Sequence, residues 1–325
     1  MTEKVPAHRP ALWIVLLAFA CIYFLWGGAF LAIRFAIETI PPFLMAGARF
    51  LSAGAILYAW ARFMGEPAPR PDQWPAATLL GGLLFVGCNG LLVWSEQYVS
   101  SGLAALIIAT IPLWMVLLDW IACGSVRPTA GVAAGLILGF GGIALLLDPS
   151  DLPAGAHVRP FHAAVLAAAA ACWAAGSLYS RSARLPASPL VATAMQLLTG
   201  GGLLCLIALA AGEWDRFDLA SVTFRSLVSL GFLSLFGSIA AFTSYVWLLR
   251  VSTPALVSTY AYVNPVVALL LGWALGGEPI AARTLVAASV ILVSVVIITT
   301  RPSTAAAAAE RSARVPGAVK VGEDV

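Results

Sequence analysis

Ten stretches of this sequence carry almost no charge and are long enough to cross a bilayer: residues 10–33, 39–61, 73–95, 97–118, 128–147, 160–180, 185–212, 226–249, 251–277 and 284–300. A hydrocarbon core of roughly 30 Å needs about 20 residues at 1.5 Å rise. The second stretch qualifies only with Arg49 inside it, and the tenth is at the short end of the range. The runs are continuous and do not alternate as barrel strands do, and helices satisfy every backbone group within one segment. The expected fold class is therefore all-α, a polytopic membrane protein of ten transmembrane helices. Composition agrees: 10% of residues are charged, against about 25% in soluble domains, too few to clothe a water-facing surface.

The first run exceeds the apolar core of a signal peptide and is read as a retained span. All five cysteines (Cys21, Cys88, Cys123, Cys172, Cys205) fall within or at the edge of apolar runs without C-x-x-C pairing, so neither a disulfide framework nor a zinc site is suggested. A net charge of +3 is ordinary for a membrane protein with basic inner loops and implies no nucleic-acid partner. With the amino terminus inside, twelve of the 18 Lys and Arg lie on the inner side and five on the outer, with Arg49 in a span. The positive-inside rule then expects a multi-pass protein of the inner (plasma) membrane with both termini cytoplasmic.

Sliding the chain along itself exposes a repeat. At an offset of 147, Trp26 falls on Trp173, Arg34 on Arg181, Pro42 on Pro189, Gly54 on Gly201 and Glu66 on Glu213. At an offset of 153, Trp94 falls on Trp247, Pro112 on Pro265, Trp120 on Trp273, Gly124 on Gly277 and Pro149 on Pro302. Five spans per unit force the second copy to enter the membrane inverted, the architecture of secondary carriers that rock around a midplane site. The expected domains are an inner tail at 1–11, repeats at 12–149 and 160–301, and a disordered inner tail at 302–325.

Enzymatic readings lack parts. His8, His157 and His162 lie in a tail or at a loop edge, the Gly176-Ser177 and Gly237-Ser238 steps have no base and read as helix contacts, and no P-loop pattern occurs. No metal and no cofactor are expected. Pro112 and Pro265 sit mid-span, where each deprives the carbonyl four residues back of its donor, giving either a gate hinge or a static bend. Asn264 is a buried amide in need of partners beside Tyr260 and Tyr262. Arg49 lies about two turns inside its span and either binds a substrate carboxylate or snorkels to an interface. Glu96 and Asp119 lie near span ends, as proton carriers or as ordinary interfacial acids. The expected substrate-binding set is Trp26, Arg49, Asn89, Trp173, Tyr245, Tyr260, Tyr262 and Asn264, because hydroxyls and amides facing lipid would lie unpaired.

Several segments carry a resemblance: Tyr23-Phe24-Leu25-Trp26-Gly27-Gly28, Ile33-Arg34-Phe35, Pro41-Pro42, Ala48-Arg49-Phe50, Asn89-Gly90, Ser101 to Leu106, Thr110-Ile111-Pro112, Tyr260 to Pro265, and Gly276-Gly277-Glu278. In order and spacing, from about Leu12 to Arg301, the chain resembles EamA-type exporters of the drug/metabolite transporter superfamily. The resemblance implies two EamA repeats, inner termini and a cavity lined mainly by spans one, three, four, six, eight and nine. It also implies a small-molecule substrate, an amino acid or similar metabolite, moved outward across the bilayer. One departure stands out: Gly124-Ser125 occupies the place of the family's Gly-Glu, which the second copy keeps as Gly277-Glu278. Competing readings are a lipid-modifying enzyme, a non-transporting structural protein and, among transporters, multidrug efflux or metabolite uptake.

Overall fold

The computed structural model describes residues 11–122, 128–147, 158–252, 254–257 and 259–300. Every regular element among them is helical. Ten cross-bilayer segments follow in order: α1 (Leu12–Ala36), α2 (Pro42–Phe63), α3 (Pro71–Ser95), α4 (Ser101–Ala122), α5 (Ala130–Leu145), α6 (Pro160–Tyr179), α7 (Pro189–Ala210), α8 (224–251), α9 (Tyr260–Gly276) and α10 (Ala282–Thr300). Eight have full spanning length, and α5 and α9 are shorter apolar helices. Cys123, the Gly124-Ser125 step, Arg127, Pro149, His157, His8, Pro302 and both expected tails beyond Ala11 and Thr300 lie outside the described residues.

Local chemistry sets the ends. Proline opens α2, α6 and α7 at the first turn, where its missing N–H has no intrahelical role. Thr129 and Thr223 cap α5 and α8 by accepting from the backbone N–H groups of Val132 and Ser226. Gly277, at φ +64°, closes α9 in the left-handed conformation that glycine tolerates best. The apolar run beginning at Val251 is not one helix: α8 ends at Val251, a short turn of helix covers Pro254–Val257, and α9 starts only at Tyr260.

Equivalent helices of the two halves pair across the bundle, α2 with α7 and α5 with α10. The α2–α7 seam is reciprocal. A Cβ on Gly54 would stand 3.0 Å from the Leu198 backbone nitrogen, and a Cβ on Gly201 would stand 2.7 Å from that of Leu51. Because 54 and 201, like 51 and 198, are related by the offset of 147, each contact is the other's copy, as a two-fold relation between the halves requires. Lipid supplies no hydrophobic drive between helices, so close van der Waals packing of this kind contributes to holding the halves together. On the other flank, Gly135, Gly139 and Gly142 of α5 lie under Ile298, Ser294 and Ile291 of α10. Between the flanks, α1 packs on α8 and α9, α6 on α3 and α4, and α4 on α9.

The two mid-span prolines act differently. α4 breaks at Ala109-Thr110, where both the N–H and the hydroxyl of Thr110 donate to the Ile107 carbonyl. α9 runs unbroken through Pro265. The repeat places Val263 opposite Thr110, and valine has no hydroxyl to compete for the preceding carbonyl. Sequence also gave no notice of wide π-helical turns in α1 (Cys21–Leu25), α3 (Gly82–Gly90) and α8 (Leu233–Ala240). Those in α3 and α8 occupy corresponding places in the two repeats, and such turns cluster at functional sites.

Candidate functional site

The wide turn of α8 is where candidate residues meet. The Trp26 indole Nε1 donates to the Gly237 carbonyl at 3.0 Å, which turns its ring toward α8 and α9. There it meets Tyr245 at 5.4 Å and Tyr260 at 5.1 Å between centroids, and the two tyrosines lie edge to face at 5.9 Å. Rings at such angles gain from opposed quadrupoles as well as from area.

Arg49 approaches the same turn from α2. It is buried, its Nε donates to Ser238 Oγ at 3.0 Å, and its guanidinium lies over the Phe50 ring. Among the described residues, Nη1 and Nη2 have no hydrogen-bond acceptor. Nη2 lies against Gly237, where a Cβ would stand 3.4 Å from it, at ordinary contact distance. One turn along the same pair of helices, the Ser52 hydroxyl meets Ser234 Oγ at 3.1 Å. The serines at 234 and 238, four apart on α8, thus face residues 49 and 52, three apart on α2. That spacing was the signal in the sequence, where Gly237-Ser238 was read only as a packing step.

Asn264 joins from α9. With its amide nitrogen facing the surrounding acceptors, it lies 3.2 Å from the Tyr23 and Tyr260 carbonyls and 3.3 Å from that of Ile22. It thereby ties α9 to the wide turn of α1, whose Tyr23 hydroxyl also bonds Thr259 Oγ1. Trp26, Arg49, Tyr245, Tyr260 and Asn264 therefore form one group.

The other candidates lie elsewhere. Tyr262 is paired through its hydroxyl with Thr299 of α10. The Asn89 amide donates at 2.9 Å to Leu84 of its own helix, in the wide turn of α3. Trp173 stands on α6, which packs on that turn; beside it the Cys172 side chain fills the space above Gly87. Pro112 lies at the break of α4 and Pro265 inside α9. Asp119 forms a partly exposed ion pair with Arg181 at 3.6 Å, whereas Glu96 is wholly buried. His162 stacks on Tyr98 with ring centroids 4.7 Å apart. A cleft of about 460 Å³ lies between Trp120, Pro128, Ala133 and Leu136. It shares no residue with the convergent group, and its lining offers few polar anchors for a ligand. We therefore place the candidate site at the group around Gly237.

The end of the bundle that carries Arg34 is closed by carboxylates of the second half. Glu278 accepts from the Ser101 N–H at 2.8 Å, the Ser101 hydroxyl at 3.0 Å and the Gly102 N–H at 3.2 Å. Glu213 accepts from the Leu44 N–H at 2.8 Å and the Phe43 N–H at 3.3 Å. Each carboxylate thus sits on the first N–H groups of a helix in the other half, where the helix dipole favours negative charge.

Eight membrane-length helices and two shorter apolar ones, with equivalent helices of the two halves paired and a polar and aromatic group where they meet, define a multi-pass membrane protein of the inverted-repeat type. The EamA-like transporter family matches over residues 12–148 and again over 161–300, and the chain belongs to that family. It is 36% identical to the uncharacterised inner membrane transporter YedA of Escherichia coli strain K12, over 84% of this chain and 87% of that one. It is 26% identical to the uncharacterised transporter YvbV of Bacillus subtilis, over 87% of this chain and 89% of that one. A solved crystal structure of 21% identity superposes with a TM-score of 0.61, covering 89% of this chain and 98% of the other, and shows the shared fold. The chain is a membrane transporter.

Proposed function

We propose that this protein is a secondary exporter of amino acids or similar small metabolites in the inner membrane, both termini cytoplasmic, working by alternating access between its two halves. The observation that carries this reading is the buried Arg49. Its guanidinium is held by one hydrogen bond to Ser238, while among the described residues its other two nitrogens stay without acceptors, Nη2 beside Gly237. A buried guanidinium needs paired charge, and a substrate carboxylate matches its planar fork. The Trp26, Tyr245 and Tyr260 rings around the same turn offer apolar area for the rest of the molecule. The groups come from α1, α2, α8 and α9, so both repeats contribute, as rocking around a shared site requires.

Uptake of a radiolabelled amino-acid panel into proteoliposomes tests the reading, with parallel growth of expressing cells on toxic amino-acid analogues to give the direction. Saturable uptake of at least one amino acid, weakened in Arg49→Met, is the expected result. A wild-type protein that moves no carboxylate-bearing compound, or an Arg49→Met variant that transports normally, removes the proposal.

A further inference from the structure

The connection between α3 and α4 buries a carboxyl group that the substrate site does not use. Glu96 has no exposed surface, and among the described residues neither of its carboxyl oxygens has a hydrogen-bond partner. An ionised carboxylate shut away from water needs donors or paired charge, and without them it takes up a proton.

Donors stand close by, but among the described residues none reaches either carboxyl oxygen. Arg34 donates to the backbone carbonyls of Glu96 and Val99 at 2.9 and 3.2 Å, and its Nε lies 3.9 Å from Glu278 Oε1. Ser101 gives both its N–H and its hydroxyl to Glu278. Arg49 gives its Nε to Ser238, and its other two nitrogens do not reach the Glu96 carboxyl. The charged and titratable groups around Glu96 are Arg34 of α1, Arg49 of α2 and Glu278 after α9, with His162 of α6 stacked on Tyr98 two residues along. Burial, and then the Glu278 carboxylate, hold the Glu96 carboxyl well above the usual carboxylate range against the smaller pull of Arg34 and Arg49.

We infer that Glu96 is a proton-binding site whose occupancy follows the closure of the Arg34 end of the bundle. While Glu278 holds Ser101 and Gly102, the Glu96 carboxyl is neutral. When that end opens and water reaches Glu96, the O–H bond breaks, the proton passes to water and a carboxylate remains. Two carboxylates then share Arg34, which weakens the grip of Glu278 on the start of α4. One proton is released to the water at that end per opening and one taken up from it per closing, so acid on that side favours the closed arrangement. This inference rests on the transport reading and deepens it.

Infrared spectroscopy of the purified full-length protein tests the site without any substrate. Wild type at neutral pH should show the carbonyl stretch of a protonated carboxylic acid, lost in Glu96→Gln and kept in Glu278→Gln. Absence of that band in wild type, or its survival in Glu96→Gln, overturns the assignment, and the wild-type result stands even if a variant fails to fold. In proteoliposomes with a labelled amino-acid panel, wild-type exchange should slow as pH falls on the Arg34 side, and Glu96→Gln should keep exchange and lose that dependence. An unchanged pH dependence of exchange in that variant also overturns the link to closure. If wild type moves none of the panel, the substrate proposal fails and the infrared band still decides the proton site.

Discussion

Glu278 reaches across 177 positions of sequence to take both the N–H and the hydroxyl of Ser101, fastening the exit of α9 to the entry of α4. Three charge-assisted bonds at a buried helix start, counting Gly102, are worth more than neutral ones. Glu278→Ala should lower stability by about 2–4 kcal/mol, while Ser101→Ala, which keeps both backbone donors, should cost about 1 kcal/mol. Thermal unfolding in detergent measures both.

Arg49 gives a second prediction. Arg49→Lys keeps the charge but loses the planar fork, and Ser238 loses the donor that holds it. Uptake should fall at least roughly tenfold, the effect of losing about 1.4 kcal/mol of substrate interaction. Measuring the unfolding midpoint alongside uptake separates this from a folding defect, which would move the midpoint as well.

The α2–α7 seam separates two adjacent glycines. At Gly201 a Cβ would press to 2.7 Å from the Leu51 backbone nitrogen, while at Gly202 nothing lies within 4 Å. Gly201→Ala should destabilise by about 1–3 kcal/mol through overpacking. Gly202→Ala should be neutral, or stabilising by up to about 1 kcal/mol through helix propensity. Comparing unfolding midpoints of the two variants checks the seam.

Much of this was legible in the sequence because the bilayer imposes length. Any helix that crosses must show a run of apolar residues, and the repeat landmarks survive because Trp and Pro are rare. The entry of α9 was not legible, since Val251 to Val257 is nearly as apolar as the helix that follows, and hydropathy does not see where hydrogen bonding stops. At the site, Tyr260 and Tyr262 were grouped together, yet two residues on a helix point about 200° apart. The structure sends one to Trp26 and the other to Thr299. Helical periodicity would have parted them. Asn89 shows a firmer limit, because whether an amide reaches a cavity or its own helix depends on a wide turn that local sequence does not announce.

Glu96 predicts a pH dependence with a definite sign. Its carboxyl is raised in the folded protein, first by burial and then by Glu278, so the folded state holds a proton that the unfolded chain gives up near the ordinary value of about 4.3. Stability is then full below that value and declines as pH climbs toward the raised folded value. Unfolding midpoints measured from acid to alkaline pH should slope downward for wild type, and the slope should be shallower for Glu96→Gln. Equal slopes would remove Glu96 as its source.

Glu278 carries one consequence for energetics. If both copies of an inverted repeat were identical, the carrier tilted one way would be the same object as the carrier tilted the other way, turned over, and the two states would be degenerate. Every difference between the copies lifts that degeneracy. The first copy has Ser125 where the second has Glu278, so the acid that fastens the Arg34 end has no acid at its equivalent sequence position. Under the proposed alternating access, this unmatched carboxylate is one of the differences that set a preference for one tilt over the other. An acid placed at position 125 would remove that difference between the copies.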